Sequence, residues 1–182
     1  MAITVSVILG SIRPGRFGIR AAKYIENQLK ALGAKVHLID PLELDVPLFA
    51  TRYDYIPESD RSAALVSLHA KFTESDAFIL LTPEYNHTYS PVLSSLLNYF
   101  YHNEYYYKAA AIQMRPYLGE LGLVSIPKLL AFPVIQNLLN ENGSIQETSA
   151  DAETLKGSST AFLKELLWYA QATKTARAAG TP

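Results

Sequence analysis

The sequence predicts a single doubly wound α/β domain with a five-stranded parallel sheet in the order 2-1-3-4-5. Three observations predict it. Short apolar, β-branched runs alternate with helical patterns along all 182 residues. The first run leads into a glycine-rich loop and a helix, the opening of a βαβ unit. No internal repeat, domain linker or low-complexity block interrupts the alternation. Right-handed crossovers leave few ways to wind such a chain.

Residues 3–9 (Ile-Thr-Val-Ser-Val-Ile-Leu) read as a buried strand. After the loop 10–18, Ala22, Ile25, Leu29 and Leu32 recur on one face of a helix, with Gly33 as its C-terminal cap. Residues 35–39 form the second strand, and 41–55 a long loop with two prolines. Ser59 is placed to cap a helix whose apolar face is Leu65, Leu68 and Phe72. Residues 77–81 are the third strand. Pro91 fits the first turn of a helix carrying Leu93, Leu96, Leu97 and Phe100. A fourth strand starts near Lys108, residues 115–121 are helical, and 123–130 form a fifth strand with Pro127 at an edge or bend. The last helix carries Leu155, Ser159, Phe162, Leu163, Leu166, Leu167 and Ala170, and 173–182 is expected to be a frayed tail of the one domain 1–182.

Composition excludes several classes. Hydrophobic residues make up 49 % and charged residues 18 %, as in ordinary globular domains. The net charge of −1 provides no basic field for nucleic acid or an anionic membrane. Cysteine is absent, which removes disulfides, thiol catalysis and cysteine metal sites. The first apolar run is too short to span a membrane and has no basic leader, so a cytoplasmic location is the default expectation.

In the predicted topology the crevice lies between the ends of strands one and three. Two distinctive loops meet there. In Gly10-Ser11-Ile12-Arg13-Pro14-Gly15-Arg16-Phe17-Gly18, helix N-terminal amides, the Ser11 hydroxyl and the Arg13 and Arg16 guanidiniums suit a small anion such as a phosphate monoester. Neither the dinucleotide fingerprint nor a Walker loop is present. An ordinary βα turn with solvated arginines reads as well. The second loop, Thr82-Pro83-Glu84-Tyr85-Asn86-His87, offers a rigid bend, an aromatic ring and a carboxamide to a flat, polar-edged ring system such as a flavin.

Together these motifs resemble the NADPH-dependent FMN reductase family of flavodoxin-like proteins, in order and spacing up to about Gly143. The resemblance implies a flavodoxin-like three-layer sandwich. It implies FMN as cofactor and NADPH or NADH as co-substrate. Ser11, Arg13, Arg16 and Gly18 are then placed on the phosphate, Phe17 of the same loop on the cofactor, and Pro83, Glu84, Tyr85 and Asn86 against the ring. It implies hydride transfer through flavin N5 to quinones, azo compounds, metal oxyanions or free flavin. The flavin carries the chemistry, with no catalytic side chain. Family members are usually homodimers or homotetramers. His87 is a candidate to hydrogen-bond a substrate carbonyl, and a solvated loop histidine reads equally well.

The chain departs from the family pattern twice. Where the family carries Leu-Lys-Asn-Ala-x-Asp, this chain has Leu93-Ser94-Ser95-Leu96-Leu97-Asn98, which weakens a charged network that often supports the dimer. The family's glycine-rich loop after strand four is also absent. Lys108-Ala109-Ala110-Ala111-Ile112 runs straight into Gln113-Met114-Arg115, as though about a dozen residues were deleted between Ile112 and Gln113, where a βα loop normally takes only a few. The expectation is impaired FMN binding. The alternative function is a non-catalytic dimeric binding protein on the same fold, and an electron carrier ranks third because a carrier is usually more acidic.

Tyr99, Tyr101, Tyr105, Tyr106 and Tyr107 read as an amphipathic edge of the core and subunit contact rather than a base-stacking platform, since only Lys108 is near. The four histidines lack metal-ligand spacing, so no metal is expected. The partners expected are a small-molecule electron acceptor and a second copy of the chain, not nucleic acid or membrane.

Overall fold

The computed structural model describes residues 2–86, 88–111 and 115–182. Five parallel strands form one sheet in the order β2-β1-β3-β4-β5: β1 Thr4–Leu9, β2 Lys35–Ile39, β3 Ala77–Leu81, β4 Ala109–Ala111 and β5 Val124–Ser125. Val5 pairs with Val36 on one side and Ala77 on the other, so β1 is an interior strand, and it is buried throughout. Side chains alternate across it. Val5, Val7 and Leu9 enter the core shared with helices α1 (Gly18–Ala31) and α7 (Ala152–Ala179), while Ile8 enters the core beneath α2 (Ala63–Glu74) and α3 (Pro91–Asn98). This is the predicted flavodoxin-like three-layer arrangement.

Local chemistry sets the helix ends. Gly33 at φ +79° closes α1 in a Schellman motif: its N–H donates to the Lys30 carbonyl and that of Ala34 to Leu29. Leu32, expected on the buried face, is instead the C-cap and half exposed, because the chain has already begun to turn. Ser62, not Ser59, caps α2, accepting from the Leu65 N–H at 3.2 Å. Ser59 sits in a short 3-10 turn and donates to Asp60. Ser90 caps α3 with Pro91 at its first position.

Two further expectations are corrected. β5 spans two residues rather than eight, and from Ile126 to Val134 the chain is neither helix nor strand. Pro127 lacks the amide that would extend the ladder. At the other end, α7 runs on to Ala179 through the expected tail. Asp76, buried at the start of β3, draws in Lys174 at 2.6 Å and Arg177 at 3.0 Å while accepting from the Thr4 N–H. The tyrosine cluster spans a core edge. Tyr99 and Tyr105 are core residues. Tyr101, His102 and Tyr106 stack at centroid spacings of 3.6 and 4.0 Å around the short helix α4 (His102–Tyr105), with the Arg52 guanidinium over Tyr101.

Candidate active site

The site begins with a close approach of two strand ends. The Gly10 N–H donates to the Leu81 carbonyl at 2.7 Å. A Cβ at position 10 would stand 2.9 Å from that carbonyl oxygen and 3.2 Å from Ser90 Oγ. Glycine is what allows the loop after β1 to lie against the loop after β3, and the two loops are thereby brought together as the topology predicts. The Ser11 and Tyr85 hydroxyls stand 3.5 Å apart across the join.

The second loop is a tight reversal. Tyr85 and Thr88 exchange backbone hydrogen bonds of 3.2 and 3.0 Å, with Asn86 at φ +52°, a conformation asparagine tolerates better than most residues. Thr82 buttresses it: its hydroxyl donates to the Pro83 carbonyl and accepts from the Ser90 N–H. His87 lies outside the described residues, as does the 112–114 stretch where the deletion is read.

Both loops line a cavity of about 610 Å³ at the carboxyl ends of β1, β3 and β4. Ser11, Arg13, Arg16, Phe17, Gly18, Pro83, Glu84 and Tyr85 all line it, and Asn86 sits at the exposed tip of its loop. A crevice at this switch point, with donors at one end and apolar walls at the other, is where doubly wound proteins take a nucleotide-like ligand.

The donor end has distinct parts. Phe17, the N-cap of α1, makes no side-chain cap hydrogen bond; the Arg20 N–H donates to the Phe17 carbonyl at 2.9 Å, which leaves the Gly18 and Ile19 amides of this fourteen-residue helix placed for an anion. Ser11 Oγ accepts from the Arg13 N–H at 3.3 Å, fixing the loop's first bend. Arg13 is exposed at the mouth. Arg16, expected on the phosphate or, in an ordinary βα turn, in solvent, is paired within the chain. Its guanidinium donates to Asp40, a buried carboxylate just past β2 that also accepts from the Leu42 N–H. Arg16 Nε is buried with no hydrogen-bond partner among the described residues, a cost that an acceptor seated at this lip would offset.

Sequence reasoning missed the opposite side. Leu129 and Leu130, expected at the end of the fifth strand, and Ala131 and Phe132 just beyond it line the cavity from an irregular segment, joined by Ile135 of α6 (Ile135–Leu138) and Phe162 of α7. The signal was present as consecutive apolar residues bracketed by Pro127 and Pro133. These residues fit FMN: donors for a phosphate at one end, apolar surface for a ring at the other. Among the described residues no group of acidic or histidine side chains is arranged to hold a metal, and no helix is long and apolar enough to cross a membrane.

The fold and the crevice thus define a flavodoxin-like, nucleotide-type binding protein. The model for NADPH-dependent FMN reductase matches residues 3–122, and the chain belongs to that family of FMN- and NAD(P)H-dependent oxidoreductases. In structure the chain is similar to FerB, a flavoenzyme NAD(P)H:(acceptor) oxidoreductase from Paracoccus denitrificans, with a TM-score of 0.72 at 20 % identity over 92 % of this chain and 99 % of that one. It is also similar to RosB with a bound flavin intermediate (TM-score 0.67, 15 % identity, 96 % and 81 % covered). A third likeness is to the apo form of the NADH:FMN oxidoreductase EMOB (TM-score 0.65, 18 % identity, 88 % of each chain). A comparison with curated proteins finds no match.

Proposed function

We propose that this chain is an FMN-dependent NAD(P)H oxidoreductase that passes electrons to a quinone, an azo compound or free flavin. The carrying observation is the single cavity that joins the uncapped α1 terminus and Arg13 to the Pro83–Tyr85 loop and an apolar wall. In this reading FMN, when bound, supplies the hydride-accepting chemistry. The chain's own residues bind and orient. The α1 amides, Ser11 and Arg13 hold the phosphate. Arg16, clamped by Asp40, keeps the loop between Gly15 and Gly18 in place. Tyr85 and the backbone turn at Asn86 border the ring, and His87 meets the substrate carbonyl.

The short connection between Ile112 and Gln113 is expected to weaken FMN relative to relatives with the longer loop. Ser94, Ser95 and Asn98, which stand where the family carries Lys, Asn and Asp, are engaged within the chain. Asn98 donates to Ser94 and accepts from Tyr117 at 2.9 Å, and Ser95 accepts from the Phe49 N–H. Assembly as a homodimer or homotetramer in the cytoplasm is then expected to rest on apolar rather than charged contacts. Exposed Leu48, Tyr55 and Trp168 offer such surface, and light scattering tests the assembly.

The first experiment is an FMN titration of the full chain by flavin fluorescence quenching, followed by NADPH oxidation with a quinone. Saturable binding and sustained turnover support the reading. A folded chain that takes no FMN would leave the second reading, a non-catalytic binding protein, which the short connection after β4 favours.

A further inference from the structure

We propose that the strap 126–134 replaces the loop after β4 as the wall against which the flavin ring packs in this chain. The inference rests on the FMN reading above and adds residues to it. Only three residues separate Ala111, the last of β4, from Arg115, the first of α5 (Arg115–Glu120). Three residues reach roughly 10 Å when fully extended, too little for a separate wall. The strap supplies one from the other side of β4. Leu129, Leu130, Ala131 and Phe132 line the same cavity as Ser11, Arg13 and Tyr85.

The strap is held as a wall is held. At its start, Lys128 donates to Glu165 of α7 through both its backbone N–H (2.8 Å) and its Nζ (2.6 Å), and the Pro127 carbonyl accepts from Arg115. These bonds keep the Glu165 carboxyl below its ordinary range. Further along, Phe132 packs edge-on against Tyr24 of α1. At its end Val134 sits at φ +44°, a costly conformation for a β-branched residue that the surroundings must enforce. Between these anchors, Leu129 remains 45 % exposed at the mouth. Loops at a surface are ordinarily polar; a run of apolar residues fixed around a cavity is matched to an apolar ligand face.

The test separates ring contacts from phosphate contacts. FMN and riboflavin are titrated, by fluorescence quenching, into the full-length wild type, Leu129→Asp, Leu130→Asp and Arg13→Ala, with thermal unfolding of each chain as control. A charge placed on the wall is expected to weaken both flavins by the same factor, about tenfold or more, since a carboxylate cannot be buried against a ring without a partner. Arg13→Ala is expected to weaken FMN alone. Leu129 lies outside the packed core, so its variant is informative even if Leu130→Asp unfolds. Wild-type affinity for both flavins in Leu129→Asp overturns the wall and leaves the FMN reading standing. Failure of the wild type to bind either flavin overturns both.

Discussion

Gly10 is the residue on which the site's geometry turns. Its missing side chain lets the β1 and β3 ends touch, and no rotamer can relieve a contact between a Cβ and a backbone carbonyl oxygen. Gly10→Ala is expected to cost about 1–3 kcal/mol, as overpacking does, and to weaken flavin binding through displacement of the loop; urea unfolding and FMN titration measure the two. Arg13 and Arg16 separate by the same close reading. Arg13→Ala should reduce FMN affinity by roughly tenfold, the scale of one charge-assisted bond, while leaving reduction of bound flavin by NADPH nearly unchanged. Asp40→Asn should loosen Arg16 and lower thermal stability even without ligand, because the buried guanidinium loses its counter-charge. An Asp40→Asn protein as stable as wild type would show that Arg16 is not clamped in solution.

At the scale of elements, α7 shows how one carboxylate extends a helix. Three groups from the two chain ends, Thr4 N–H, Lys174 and Arg177, converge on Asp76. The two cations are partly exposed, so their worth is discounted for solvent; Asp76→Asn is expected to cost about 1–3 kcal/mol. It should also raise hydrogen exchange selectively over residues 172–179. Unchanged protection there would mean the helix end is held by other contacts. Gly122 plays a comparable part in joining α5 to β5: at φ +76° it lies flat against the Tyr106 ring, where a Cβ would overlap the ring edge. Its carbonyl accepts from the Tyr107 N–H.

The whole molecule carries a distinctive alkaline profile. Lys108, buried at the start of β4, donates to the Phe72 and Thr73 carbonyls at the end of α2. Burial, with Arg177 nearby, pulls its pKa from 10.5 to about 8. The unfolded chain therefore binds a proton between pH 8 and 10.5 that the folded chain does not, and stability rises with pH across that window. The tyrosines act oppositely. Burial pushes Tyr117 from 10 up to about 12 and Tyr105 well above 10. Above pH 10 the unfolded chain loses protons that the folded chain keeps, and stability falls. Urea midpoints at pH 8, 9.5 and 11 should thus pass through a maximum. Lys108→Met should flatten the rise between the first two; a rise that persists in that variant would assign it elsewhere.

The strand order, the alternation of helices and the two crevice loops were legible from the sequence alone. They are encoded locally, in β-branched runs, in caps such as Gly33 and Pro91, and in a glycine where two strand ends must meet. Family membership was legible for the same reason, since its motifs are contiguous. Tertiary structure alone decided what depends on distant partners. Arg16 is clamped rather than solvated because Asp40 lies twenty-four residues away. The helix through 173–179 is held because Asp76 is buried beside it. The apolar run after β5 is a cavity wall rather than a strand: Pro127 blocks the ladder, and Glu165 of α7 captures Lys128. Periodicity reports which face of an element is buried, but not which remote charge or cavity meets it, and those meetings shape this site.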